Sequence, residues 1–224
     1  KTPIDSGVDG GFNARVDASF PTYTPSCGRT SCNGIASPST CIEDQCFASG
    51  WQRTVTGTGT TSFNGDCFFK TEQNVGTAFA AASLAGGPRY DFELRFRGSQ
   101  QAGWGNLQSS TMAEIVSGTT TISLRVTDNK VMLCVNGACG ATVNVDGIGS
   151  SDGKSANVDI YGRWGDTFAN GYVRLLAGPD GACNARYELP LPSPASGAIQ
   201  ARVGCFASKC DEIFDEISFS QRPL

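Results

Sequence analysis

Ten cysteines, eight of them in four equally spaced pairs, constrain this chain more than any other feature. Cys27/Cys32, Cys41/Cys46, Cys134/Cys139 and Cys205/Cys210 each enclose four residues, while Cys67 and Cys183 stand apart. In CVNGAC, Asn136-Gly137 is the dipeptide that best tolerates the two positive φ angles of a type I′ hairpin turn. Val135 and Ala138 then form the hydrogen-bonded pair beside the turn. Cys134 and Cys139 form the next, non-hydrogen-bonded pair, where Cα atoms come within bridging distance. Local bridges are expected in all four pairs, with Cys67–Cys183 as a long-range staple. In the chain-entropy account the long loop contributes most, roughly 4–5 kcal/mol. A zinc ion held by four thiolates is the competing reading, but zinc ribbons favour two-residue spacing. Repeated cysteine spacing points to an oxidising compartment, so a secreted or cell-surface protein is expected.

The chain has no histidine. That removes Ser-His-Asp and Cys-His catalysis, histidine-ligated zinc and imidazole pH switching. A net charge of −4 with scattered cations argues against a nucleic-acid partner. No apolar run reaches the ~18–20 residues of a spanning helix, so no membrane insertion is expected. The start at Lys1 reads as a processed product, and no Asn lies in an N-x-S/T sequon.

Period-2 alternation sets the fold class. In Tyr90–Arg97 (YDFELRFR), Tyr90, Phe92, Leu94 and Phe96 share one face, and Asp91, Glu93, Arg95 and Arg97 share the other. This predicts a half-buried strand with a strongly charged outer face. Strands are also expected near Phe12–Phe20 and over Thr120–Val126, Lys130–Val135, Ala138–Val145, Val158–Tyr161, Tyr172–Leu176, Ala185–Leu189, Ile199–Val203 and Ile213–Phe219. Only Thr71–Leu84, with its alanines, looks weakly helical. Residues 21–50 read as a disulfide-tied loop region within a single domain spanning 1–224. Many short strands with turn chemistry between them predict an all-β, two-sheet antiparallel sandwich.

The segment LRVTDNKVMLCVNGACGATVNV (124–145) resembles the central hairpin of laminin-G-like domains, and FDEISFSQRPL (214–224) resembles their last strand. The chain therefore looks like a member of the concanavalin A-like lectin/glucanase superfamily, which implies a jelly roll, here disulfide-stapled. The resemblance implies carbohydrate binding, or catalysis on a polysaccharide, and calcium held by loop acids.

Glycosidases of this group place paired carboxylates on one strand face. Glu212 and Glu216, four apart, are the candidates, although Phe214 stands where the family carries an Asp. A solvated face on a terminal strand is the plainer account of them. For a polysaccharide lyase, Arg95 and Arg97 are the candidate charge neutralisers and Tyr161 or Tyr172 the base; a cross-strand ion-pair ladder explains the charges more simply. For binding without catalysis, Trp104 with Asn106, and Trp164 with Asp166 and Asn170, lie in glycine-bracketed loops where an indole could stack on a sugar ring. Asp146, Asp152 and Asp166 are the loop acids available to calcium. A non-catalytic, secreted glycan-binding or adhesion module is the leading expectation, with a carbohydrate-active enzyme or a purely structural wall component as rivals.

Overall fold

Strand-forming alternation becomes strand almost everywhere. The computed structural model describes residues 40–44, 51–63, 69–73, 76–100, 109–149, 155–165, 171–178, 185–192, 197–206 and 210–224, which hold sixteen strands and no helix. These are β1 (Thr40–Asp44), β2 (Gln52–Gly57), β3 (Thr60–Phe63), β4 (Phe69–Gln73), β5 (Gly76–Leu84), β6 (Tyr90–Gln100), β7 (Ser110–Ser117) and β8 (Thr120–Thr127). They continue as β9 (Lys130–Val135), β10 (Ala138–Cys139), β11 (Val143–Asn144), β12 (Ala156–Trp164), β13 (Tyr172–Gly178), β14 (Ala185–Pro190), β15 (Ile199–Cys205) and β16 (Cys210–Pro223).

Two antiparallel sheets result. One runs β14-β13-β12-β6-β16-β4-β3, with β1 also paired to β16; we call it the β6 sheet. The other, the β8 sheet, runs β10-β9-β8-β7-β15-β5-β2, with β11 paired to β9. Each sheet has an apolar face that must leave water, and the two close on each other. Phe92, Leu94 and Phe96 from β6, Ile160 from β12 and Leu175 from β13 meet Ile115 from β7 and Ile122, Leu124 and Val126 from β8 in one buried cluster. Each such side chain contributes ~1.5–3 kcal/mol on burial.

The NG hairpin forms as its chemistry requires. Asn136 and Gly137 have φ of 49° and 81°, and Cys139 sits opposite Cys134. The two cysteines are bridged, with Cα atoms 3.9 Å apart. Cys205 is also disulfide-bonded, to a cysteine whose side chain is outside the described residues. Cys27, Cys32, Cys46, Cys67 and Cys183 fall outside the description, as does Phe12–Phe20; of Cys41 and Cys210 only the strand backbone is described.

Several expectations are corrected. The alanine-rich stretch is strand β5, held between β2 and β15. Alanine's helix propensity is a weak prior, and ladders on both sides outweigh it. Within the region read as loop, residues 40–44 form β1 against β16. Ala138–Val145 is two short pieces, with Gly140 donating to the Leu133 carbonyl between them. The C-terminal strand is no edge: β16 lies between β6 and β4. Its register shifts between Asp215 and Ser218, so Phe214, Ile217 and Phe219 all enter the core despite their unequal spacing.

Candidate functional site

The outward residues of β6 become a surface only when its neighbours are laid beside it. Register aligns Tyr172, Arg163, Asp91 and Arg222 in one row across four strands. The next row holds Glu188, Arg174, Tyr161, Glu93 and Ser220, and the one below it Leu176, Asp159, Arg95 and Ser218. On β12 this outward set alternates with Val158, Ile160, Gly162 and Trp164, which face the core. Gly162 is required there, since a Cβ would lie 2.1 Å from the Tyr172 carbonyl oxygen and 2.9 Å from the Phe92 ring. Its absence of a side chain lets β13 seat Tyr172 beside Arg163.

The upper rows are densely paired and partly exposed, apart from the buried Arg163, Glu93 and Ser220. Asp91 accepts hydrogen bonds from Arg163 Nε at 2.8 Å and from Arg222 on the other flank. Arg174 donates from Nε to Glu188 at 2.7 Å while its guanidinium lies 4.6 Å from the Tyr172 ring centroid and 5.8 Å from that of Tyr161. The two phenol rings and three arginines therefore form one fixed array, because every guanidinium is tied to a carboxylate or a ring.

The lower row, together with Glu93 of the row above it, is buried: Asp159 is 2% exposed, Arg95 6% and Glu93 7%. Arg95 is ion-paired with both Glu93 and Asp159, and the two carboxyls also hydrogen-bond to each other. Burial, reinforced by the neighbouring Asp159 charge, pushes Glu93 well above the usual carboxyl range. Burial also raises Asp159, to about 6, against the pull of Arg95. The charged outer face of β6 is largely withdrawn from water, its charges paired across the neighbouring strands.

The sequence candidates separate. Arg95, Arg97, Tyr161 and Tyr172 do share this face, but Arg95 is held by the carboxyl pair and Arg97 donates to Ser155 at 2.7 Å. Burial pushes the Tyr172 phenol up, so less of it is ionised to take a proton at neutral pH than in a free tyrosine. Glu212 is not a solvated surface acid. It is fully buried with the core face of β16, accepts from Ser110 Oγ at 2.9 Å, and lies well above the usual carboxyl range because it is desolvated. No polymer reaches it there. The side chain of Glu216 is outside the described residues.

Trp164 is a core residue with no exposed ring face to stack on a sugar: its ring lies 6.3 Å from Phe92 and its Nε1 donates to the Pro192 carbonyl at 3.3 Å. Trp104, Asn106, Asp152, Asp166 and Asn170 lie outside the described residues. Asp146 is exposed near the end of β6, where the Gln100 amide donates to the Ile148 carbonyl. No group of three metal-binding side chains occurs among the described residues.

Arg163, Arg174, Asp159, Glu188 and Arg222 were not singled out from sequence. Their strands alternate legibly, but only the register shows that their outward residues adjoin Glu93 and Asp91.

No family model matches the sequence, and no curated protein matches it. Solved structures do match in fold. An acidic winged bean lectin complexed with methyl-α-D-galactose aligns at 11% identity and TM-score 0.52, over 82% of this chain and 98% of that one. A basic winged bean lectin with Tn-antigen aligns at 10% identity and TM-score 0.51, again over 82% and 98%. The metal-free exoplasmic/lumenal domain of VIP36 aligns at 11% and 0.51, over 83% and 91%. The chain has the concanavalin A-like lectin fold.

Proposed function

We propose that this is a secreted or lumenal glycan-binding protein whose ligand lies on the outer face of the β6 sheet, over Tyr161 and Tyr172. One observation carries the reading: Arg174 sits between the two phenol rings on a partly exposed face where Asp91, Glu188, Arg163 and Arg222 supply donors and acceptors in fixed positions. Sugar recognition needs such a combination, a ring against C–H groups and paired hydrogen bonds to hydroxyls. The fold supports it by analogy, since the two winged bean lectins are complexed with methyl-α-D-galactose and Tn-antigen. The Cys134–Cys139 bridge supports an oxidising compartment.

In our reading Asp166, Asn170, Trp104 and Asn106 are further candidate ligand contacts. Catalysis is not favoured.

Screening on a glycan array, then titrating the best ligand against Tyr172→Ala and Tyr161→Ala, tests the reading. Each variant is expected to lose about tenfold in affinity, the scale of one aromatic contact. Unchanged affinity in both would remove the site assignment. Release of reducing ends or unsaturated sugars from any polysaccharide would overturn the non-catalytic part, and loss of binding on chelation would establish the calcium requirement.

A further inference from the structure

Two arginines of the upper row share a single carboxylate, so the row that holds Tyr172 carries more positive charge than negative. We propose that the tyrosine face takes acidic sugars, with a carboxylate or sulfate seated on Arg163 and Arg222 and the sugar ring carried by Tyr172. This rests on the glycan-binding reading above and adds its ligand class.

Asp91 stands in register between Arg163 of β12 and Arg222 of β16. Its Oδ1 accepts from Arg163 Nε at 2.8 Å, and its Oδ2 accepts from Arg222. A different guanidinium engages each oxygen, which leaves one positive charge over in the row. The row beside it adds no offset there, since Arg174 is matched by Glu188 at 2.7 Å and Glu93 is paired with Arg95. Across the whole face, the described side chains of Arg95, Arg97, Arg163, Arg174 and Arg222 meet those of Asp91, Glu93, Asp159 and Glu188. Five cations against four carboxyls leave an excess even with every carboxyl ionised, so its sign does not depend on where protons sit. A further arginine, Arg89, lies two residues before Asp91, about 7 Å along the chain at strand rise. That is inside the screening length of ~8 Å at physiological salt.

The Asp91, Arg222 and Arg163 side chains are 23%, 19% and 8% exposed, so an anion meets them where water screens only in part. Arginine's planar fork matches the paired oxygens of such a group. Tyr172 adjoins Arg163 in the same row, so a ring lying on the phenol directs its anionic substituent toward the guanidiniums. The chain's net charge of −4 works against a densely charged polyanion. A sugar chain with about one anionic group per ring suits the single seat.

Calorimetric titration of the intact protein at neutral pH tests this with matched probes. These are a galacturonic acid hexamer against its methyl ester, and a sulfated galactose hexamer against the unsulfated one. At low salt at least one anionic hexamer is expected to bind roughly tenfold more tightly than its neutral counterpart, the scale of one charge-assisted contact. The advantage should shrink at about 0.5 M salt, where screening acts over a few ångströms. Arg222→Gln should cut the anionic-to-neutral affinity ratio about fivefold, whereas Arg202→Gln on the other sheet should leave it unchanged. Neutral hexamers that bind as tightly, or an advantage indifferent to salt, overturn the ligand class and leave the glycan site standing. A preference undiminished in both Arg222→Gln and Arg163→Gln overturns its assignment to this row. If Arg163→Gln fails to fold, the partly exposed Arg222 variant decides alone. Absence of binding by any glycan, neutral or anionic, removes both readings together.

Discussion

The two sheets of this sandwich present matching inner faces and very different outer ones. Inside, both offer aliphatic and aromatic residues of the same kind. Outside, the β6 sheet carries an ion-paired array that runs from partly exposed arginines and tyrosines down to the buried Glu93, Arg95 and Asp159. The outer face of the β8 sheet has, among its described residues, a looser pair: Arg202 lies 3.5 Å from Glu114, with side chains 31% and 19% exposed. Beside it Phe79 stacks on Phe206. The inner faces are dictated by the need to exclude water, which both sheets share. The outer faces answer to no such need, so charge buried on one of them is costly to stability and points to function.

Removing Arg95 breaks this contrast most severely. Arg95→Ala leaves two carboxyls buried against each other, and the loss expected for breaking a buried pair is about 3–5 kcal/mol, read from urea denaturation. A loss no larger than that of a surface arginine would show the cluster is not truly desolvated. Next comes pH. Asp159 holds its proton longer in the folded chain than in the unfolded one, where its value is near 3.8. Its contribution is therefore complete below about pH 4 and is lost as pH rises to about 6. Glu93 and Glu212 are also raised by burial and so act in the same direction. The denaturation midpoint should fall as pH rises from 4 to 7, and Glu212→Gln should flatten that slope. A midpoint that rises over this range would contradict the burial of these acids.

On the other sheet the effects shrink. Replacing Cys134 and Cys139 by serine opens a short loop and should cost about 2 kcal/mol in the chain-entropy account. Because Asn136-Gly137 already favours the turn, the double variant should still fold, with an unchanged circular dichroism spectrum. Smallest of all, Arg202→Ala removes a half-exposed pair and should cost less than about 1 kcal/mol. Should it cost as much as Arg95→Ala, the distinction between the two faces would collapse.

Much of the sandwich was legible in the residues themselves. The run from Tyr90 to Arg97, the NG hairpin and the apolar alternation of β8, β13 and β15 each encode strand and facing within a few neighbours. The strands β2, β3, β4 and β7 were not anticipated: β2 is exposed along its whole length and offers no apolar face to read, and β7 is disturbed where its register with β8 slips at Thr111 and Ala113. The candidate site was legible only in part. Tyr161, Tyr172 and Arg95 stood out by chemistry, but a strand pattern says which residues point outward and not which strands adjoin.

Local chemistry alone determined that this chain makes β-structure, where it turns at Asn136-Gly137, which side of β6 is apolar and that imidazole plays no part. Tertiary structure decided the rest. It placed β12 and β16 beside β6, and so brought Asp159 to Glu93 and Arg222 to Asp91 from far along the chain. It put an irregularity into β16, whose shifted parity sent Glu212 into the core, and it drew Trp164 inward beside Phe92. The division follows from range: side-chain alternation and turn preference act over a few residues, whereas adjacency of strands and the local dielectric exist only once distant segments have packed.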